Sequence, residues 1–459
     1  MILTKDQACR YMKHTLIPEI SVQGQKKILD SSVLLYADAS DRVSLALYYL
    51  AASGVGQVYC SMDNISNWEE LSKNLSDLNS DAKVQLQAKE AMEISGGQAA
   101  TRIIAGDFSF VNKTLQSVIK YENPQGNIPT IICIHRGWRG VVQTFTGQTG
   151  LKEFLEGMAE YPDSSIIDAS GCSDNLSAFF SSLMAVIEHV KLTLSLGKLL
   201  SEALYYDLSS MEFDFMSNQA DLLDKLLGPH GPEKGCDTLS ASRVLIMGCG
   251  GSGSSAAFAL ASSGIGKLGL VDFDAVGLSN LNRQIMHSAS RIGMPKVQSA
   301  EVFLKQTNPN ISLETYNKGI SKENIQDIIS SYDIIIGSID DPAPRSILKY
   351  ACHTAKKPLL EAGALDISGI ATSIIPEISP CSRCISLEPG DSILLASCCE
   401  SGVLGPVPGI LGVIQAAEAV KLLTGSGISL KNRMLLYDVF DTDIYVTDCG
   451  KIHCCRSFS

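Results

Sequence analysis

A chain of 459 residues, 45% hydrophobic and 19% charged, can bury a large core and is expected to form two or more domains. Its net charge of -12 argues against a nucleic-acid-coating protein, because phosphate binding draws on clustered Lys and Arg; any phosphate site must be local. Met1 to Ile17 lacks an uninterrupted apolar core and no run looks long enough to span a bilayer. Fourteen cysteines without a secretory signal favour reduced thiols or a metal site, so a cytoplasmic protein with no membrane or nucleic-acid partner is expected.

The first elements return later in the chain. Ser32-Val33-Leu34-Leu35 and a helical stretch ending Ala51-Ala52-Ser53-Gly54-Val55-Gly56 recur about 210 residues on, as Arg243-Val244-Leu245-Ile246 and Ala261-Ser262-Ser263-Gly264-Ile265-Gly266. Glu188-His189-Val190-Lys191, followed by Tyr206-Asp207, recurs about 230 residues on as Glu418-Ala419-Val420-Lys421, followed by Tyr437-Asp438. Landmarks in one order with a slowly drifting offset read as two copies of one fold with different loops. The breaker cluster Gly228-Pro229-His230-Gly231-Pro232 suits a boundary. The expected division is 1–218, a linker at 219–240, and 241–459.

In the second copy, strands are expected at Arg243 to Met247, Lys267 to Val271 and Tyr332 to Ile339, with crossover helices at Lys296 to Thr307 and Ser321 to Ser330. That alternation predicts an α/β protein of two tandem Rossmann-like, doubly wound sheets. After the first of these strands comes Gly248-Cys249-Gly250-Gly251-Ser252-Gly253-Ser254, leading into a helix expected from Ser255. Such a loop can bring backbone amides and a helix N-terminus against a phosphate, and it serves NAD as readily as ATP.

The following residues narrow the choice. Asp272-Phe273-Asp274 ends the second strand, where an acidic side chain can accept from ribose hydroxyls. Asn280 and Arg283 lie in Ser279-Asn280-Leu281-Asn282-Arg283-Gln284, and Lys296 ends Gly293-Met294-Pro295-Lys296. A triphosphate needs two such cations; a dinucleotide has little use for them. In Asp340-Asp341-Pro342-Ala343-Pro344-Arg345, Pro342 suits a first helical turn, so Asp341 should cap the helix. Asp340 is left at the C-terminal sheet edge, able to hold magnesium.

The series GCGGSGS, VDFDAVGLSNLNRQ, GMPK, SIDDPAPR and GVLGPVPGILGVIQAAEAVKLL resembles the adenylyltransferases of the ubiquitin-activating superfamily, of the bacterial ThiF, MoeB and HesA type. The resemblance covers nearly all of Ala241 to Asp438, and Arg10 to Ile20, Gly24-Gln25 and Ser31 to Leu34 extend it to the first copy. It implies that Gly248, Gly250, Gly251 and Gly253 line the nucleotide phosphates and that Asp272, with Asp274 close by, takes the ribose. It further implies that Asn280, Arg283 and Lys296 bind the triphosphate and that Asp340 binds Mg2+. The activity implied is adenylylation of the C-terminal carboxylate of a small ubiquitin-like or sulfur-carrier protein. A ribosomally made peptide is an alternative substrate, and an NAD-dependent oxidoreductase is the alternative from another class.

Aligned on Val33 and Val244, the first copy sets Tyr36-Ala37-Asp38-Ala39-Ser40-Asp41 over the glycine loop and Met62 over Asp272, so it is expected to be non-catalytic. In homodimeric relatives, an N-terminal arginine of one subunit reaches the other's site. Here the matching residue is Lys13, with Arg10 as substitute, and a single fused molecule, as monomer or homodimer, would contain one site. Cys381-Ser382-Arg383-Cys384 has zinc-knuckle spacing. Structural Zn2+ is expected on Cys381, Cys384, Cys454 and either Cys449 or Cys455, with His453 in reserve; free thiols are the competing reading. Cys398-Cys399 lie near the expected mouth of the site, but no neighbouring His marks either as a nucleophile.

Overall fold

The computed structural model describes residues 3–88, 101–121, 128–161, 173–229, 235–379 and 401–449. Two eight-stranded sheets have the same strand order. The first runs β1 (Ser32–Ala39), β2 (Gln57–Asn64), β3 (Lys83–Leu86), β4 (Thr101–Gly106), β5 (Thr130–Arg136), β6 (Arg139–Phe145), β7 (Ala203–Asp207) and β8 (Glu212–Met216) along the chain. The second runs β9 (Arg243–Met247), β10 (Lys267–Val271), β11 (Ser312–Tyr316), β12 (Ile334–Gly337), β13 (Leu359–Leu365), β14 (Ser368–Ile374), β15 (Arg433–Asp438) and β16 (Asp443–Asp448). Spatially the orders are β3-β2-β1-β4-β5-β6-β7-β8 and β11-β10-β9-β12-β13-β14-β15-β16. The duplication read from the sequence is thus present strand for strand.

Each sheet is parallel through its first five positions and antiparallel beyond them. Connection length decides this: Gly137 and Trp138 alone join β5 to β6, and Asp366 and Ile367 join β13 to β14, far too few residues for a crossover. Both joints use a left-handed residue, Gly137 at φ 57° and Asp366 at φ 51°.

The copies share one apolar core. Helices Ser40–Ser53 and Asp174–Leu194 of the first pack against Gly251–Ser262, Lys296–Thr307 and Pro406–Thr424 of the second. Tyr48 meets Phe258 and Phe303 edge-on with centroids 5.8 and 5.3 Å apart, and Phe179 lies 5.4 Å from Phe258. Against the expectation that no stretch reaches spanning length, Asp174–Leu194 and Pro406–Thr424 are long and apolar enough to cross a membrane. Their apolar windows are 89% and 83% buried inside the protein. They are apolar all round because both faces of each helix meet protein.

Two helices stand in the span read as a linker. Gln219–Leu227 is capped by Asn218, whose Oδ1 accepts from the Ala220 amide at 3.0 Å, and buries Leu222, Leu223 and Leu226 against the first sheet. Cys236–Ala241 leads into β9. Near the N-terminus, Ser21 opens helix Ser21–Leu29 at φ 56°, a conformation that costs an L-residue about 1–2 kcal/mol. Ser21→Gly is therefore expected to raise stability by about 0.5–1 kcal/mol after the glycine's extra unfolded-state entropy is subtracted, read as a higher thermal midpoint.

Candidate active site

The site forms where β9, β10 and β12 end. Gly248 turns the chain at φ 103°, and a Cβ there would stand 2.3 Å from the Ser338 carbonyl oxygen. A Cβ on Gly253 would lie 1.9 Å from the Gly248 oxygen, so the helix can start this close to its strand only with glycine at 253. The helix begins at Gly251, earlier than the expected Ser255. Gly251 and Gly253 are thus in its first turn, where unpaired amides and the positive dipole end coincide. Gly250 faces open space, with nothing closer than Gln284 Nε2 at 3.9 Å from its built Cβ.

Asp272 braces this turn. Its Oδ2 accepts from the Cys249 amide at 2.8 Å and its Oδ1 from the Asp274 amide at 2.9 Å. Each oxygen retains a lone pair for a further donor. His287, buried, lies with Nε2 3.1 Å from the Cys249 carbonyl and Nδ1 3.0 Å from Ser299 Oγ. Burial holds its imidazole down to about 3, so it stays neutral as a support for the loop.

The cations come next. Arg283 Nη1 donates to the Ser279 carbonyl and to Asn282 Oδ1, each at 2.8 Å, and its Cγ lies 3.8 Å from a Cβ built on Gly251. Asn280 spends its Oδ1 on the Gly277 amide at 2.9 Å, which leaves its Nδ2 as the end able to meet a ligand. Lys296 is buried and pairs with Asp274 Oδ2 at 2.8 Å. Asp274, expected among the nucleotide-binding residues, makes that ion pair with about half of its side chain still exposed.

Asp340 lies at the centre. Asp341 takes the capping duty, accepting from the Ala343 amide at 3.0 Å with Pro342 in the first turn. That leaves the Asp340 carboxylate with no hydrogen bond or close ion pair among the described residues. It is open to solvent yet enclosed by protein on most sides, as on the floor of a cleft. Desolvation raises its pKa above the ordinary carboxylate value, against the opposing fields of Arg283, Arg345, Lys296 and Lys13.

Lys13 arrives from the first copy: its Nζ donates to the Ser401 carbonyl at 2.8 Å, and its charge acts on Asp340. Arg10 does not join it. Its Nη1 donates to the Leu78 carbonyl at 2.6 Å, where a cation complements the C-terminal end of helix Trp68–Leu78. Sequence reasoning missed Arg345, although it stands five residues beyond Asp340 in a quoted motif. Its Nε pairs with the buried Glu361 at 3.0 Å, and Lys349 takes the other oxygen at 3.0 Å. Phe273, with 66% of its surface exposed beside Asp272, was also passed over.

Among the described residues, buried Gln284 Oε1, Asn282 Nδ2 and Ser338 Oγ have no hydrogen-bond partner, and Gly250 opens onto free space. A phosphate-bearing ligand fits that combination. Asp340 suits Mg2+, which needs only one or two carboxylates alongside substrate phosphates. Of the expected zinc ligands, Cys381, Cys384, Cys454, Cys455 and His453 lie outside the described residues, as do Cys398 and Cys399. Cys449 is half-buried, with its thiol pushed up by burial.

The matching edge of the first sheet is built differently. Val33 pairs with Val58 and Thr101, and Val244 with Leu268 and Ile334, which superposes Met62 on Asp272 and Asp107 on Asp340. Asp107 is spent as a cap, accepting from the Phe110 amide at 2.7 Å. Arg42 bridges Asp38 and Asp174 at 2.6 Å each, filling the space with a guanidinium.

Fold and site together define a duplicated α/β protein with one glycine-turn cleft, in its second copy. The ThiF family matches residues 223–454, and the chain belongs to that family. The adenylyltransferase and sulfurtransferase MOCS3 of Arabidopsis thaliana is 39% identical over 214 residues, 47% of this chain and 46% of that protein. The molybdopterin-synthase adenylyltransferase of Haemophilus influenzae is 40% identical over 211 residues, 46% of this chain and 86% of that one. The SAMP-activating enzyme E1 of Haloferax volcanii is 37% identical over 211 residues, 46% and 77% of the two chains. The chain spans about half the length of the MOCS3 relatives it matches.

Proposed function

We propose that this chain adenylylates the C-terminal carboxylate of a small ubiquitin-like or sulfur-carrier protein, with ATP as the adenylyl donor and Mg2+ as cofactor. The observation that carries the reading is the convergence of Arg283, Arg345, Lys296 and Lys13 on one carboxylate beside a glycine turn. Relatives named as adenylyltransferases and as an activating enzyme support the reaction class.

A carboxylate oxygen of the carrier attacks the α-phosphorus. The bond from that phosphorus to the bridging oxygen breaks, and pyrophosphate leaves with the electron pair. The nucleophile is already an anion, so no general base is required; positioning and neutralisation of charge dominate. The amides at Gly250 to Gly253 receive phosphate oxygens, Asp272 accepts from the ribose, and Asn280 offers its Nδ2. Arg283 and Lys296 meet the charge that develops on the transferring phosphate, and Lys13 adds a point charge from the opposite wall. Mg2+ on Asp340 would supply further neutralisation of the phosphates when bound. The first copy, its equivalent space filled by Arg42, serves as a non-catalytic partner, so that one molecule holds one site.

The test is ATP–pyrophosphate exchange with labelled pyrophosphate and candidate carriers. Carrier-dependent exchange supports the reading. Nicotinamide binding without exchange would transfer the site to the oxidoreductase alternative, which leaves Arg283, Lys296 and Asp340 without a task. The pH dependence provides a second check. Activity needs ionised Asp340, whose value is raised, so activity falls as pH drops through a point above the ordinary aspartate value of about 3.9. The acid limb of kcat/KM for exchange should lie above that value.

A further inference from the structure

Three hydrogen bonds join helix Met12–Thr15 of the first copy to residues 401–405 of the second. Lys13 Nζ donates to the Ser401 carbonyl at 2.8 Å, the Val403 amide donates to the Lys13 carbonyl at 2.9 Å, and the Gly405 amide donates to His14 Nε2 at 3.0 Å. The third depends on where the imidazole carries its proton, and the surroundings assign it. Gln25 Nε2 donates to the Ser53 carbonyl at 2.9 Å, which turns its Oε1 toward His14 Nδ1, 2.9 Å away. An amide oxygen only accepts, so Nδ1 must hold the proton, and Nε2 keeps the lone pair that receives the Gly405 amide. The His14 to Gly405 link is buried and the Lys13 to Ser401 link partly so; burial keeps the imidazole neutral, its value lowered to about 4.

The far end of this relay is the catalytic wall. A Cβ on Gly405 would stand 2.3 Å from the Asn282 carbonyl oxygen and 3.4 Å from His14 Nε2. Gly405 is therefore wedged between His14 and the residue just before Arg283. Lys13 precedes His14 and Arg283 follows Asn282, so one imidazole ties together the backbones bearing two cations from different copies.

We propose that His14 is a positioning residue for adenylyl transfer: as the Nδ1-protonated tautomer it locks Gly405 in place and so fixes Lys13 relative to Arg283 across the junction of the two copies. The inference rests on the adenylylation reading for its kinetic consequence, not for the clamp itself.

The test compares His14→Ala, His14→Gln and Gln25→Leu by amide hydrogen exchange at Val403 and Gly405 and by carrier-dependent pyrophosphate exchange. His14→Ala is expected to speed exchange of the Gly405 amide at least tenfold and to lower kcat about 10- to 100-fold, the scale of a small misplacement of reacting groups. The KM for ATP should stay within about threefold, because the misplaced cation acts on the transition state. His14→Gln should recover both readouts, since its carboxamide can donate to Gln25 and accept from Gly405. Gln25→Leu, which frees the tautomer, should reproduce part of the loss and decides the matter if His14→Ala does not fold. A folded His14→Ala with unchanged kcat, or a rise in KM alone, would overturn the proposal, as would failure of His14→Gln to rescue. If the unaltered protein catalyses no exchange with any carrier, the adenylylation reading fails; the Gly405 amide still tests the clamp.

Discussion

Replacing Arg283 by alanine is expected to lower carrier-dependent pyrophosphate exchange about 10³-fold, with little change in thermal midpoint. The size follows from how the side chain is held. Its guanidinium is anchored by the Ser279 carbonyl and Asn282 Oδ1, and its backbone carbonyl lies 3.4 Å from the donating Tyr49 hydroxyl of the first copy. Such a fork is oriented before substrate arrives and costs no reorganisation when charge develops. Lysine would keep the charge and lose the fork, so Arg283→Lys should recover only part of the rate. Arg283 is also the foremost charge opposing the desolvation of Asp340. Removing it should therefore move the acid limb of residual activity to still higher pH. A kcat/KM within about threefold of the unaltered protein would remove Arg283 from the reaction.

What the sequence disclosed follows the range of the forces involved. The strand-turn-helix unit at Gly248 is local, and so is the Asp341-Pro342 cap; both are readable because φ freedom, missing amides and capping oxygens act within a few residues. Helix Lys296–Thr307 has the bounds its periodicity predicts. The duplication was legible because a repeat carries its own control. The place of Arg10 is not local in this sense: its acceptor, the Leu78 carbonyl, is 68 residues away, and no local pattern tells a catalytic finger from a helix-end cation. The His14 to Gly405 bond spans 391 residues. The pattern read from the sequence stops at the parallel strands; the three antiparallel strands that complete each sheet follow from the two-residue joints at 137–138 and 366–367. Asp38, which the alignment sets over the glycine loop, is compensated by the Arg42 guanidinium, a pairing four residues apart that joins Asp174 from a distant helix.

The Glu-x-x-Lys landmark yields the largest stability effect. Glu418 pairs with Lys421 at 2.5 Å, both almost wholly buried, while its other oxygen accepts from Ser373 Oγ at 2.5 Å and the Leu430 amide at 2.7 Å. The first copy repeats the arrangement: Glu188 pairs with Lys191 at 2.5 Å and accepts from Thr144 Oγ1 at 2.7 Å and the Leu200 amide at 2.9 Å. Glu418→Ala leaves an ammonium, a hydroxyl and an amide without their partner in a dry core, and is expected to cost about 3–5 kcal/mol. Replacing both members, Glu418→Leu with Lys421→Met, removes the stranded charge as well and should cost far less. The pH dependence separates this from a mere cavity. Burial already lowers the Lys421 value, and Glu418 is the chief group opposing that shift. Without it the folded value falls further, so the unfolded chain binds more protons than the folded one. Stability of Glu418→Ala should then rise with pH until it reaches the ordinary lysine value of about 10.4. Urea unfolding at several pH values measures this directly. A loss under about 1 kcal/mol, or one that does not change with pH, would mean that Lys421 finds another partner and that the buried pair does not hold the copies' shared core.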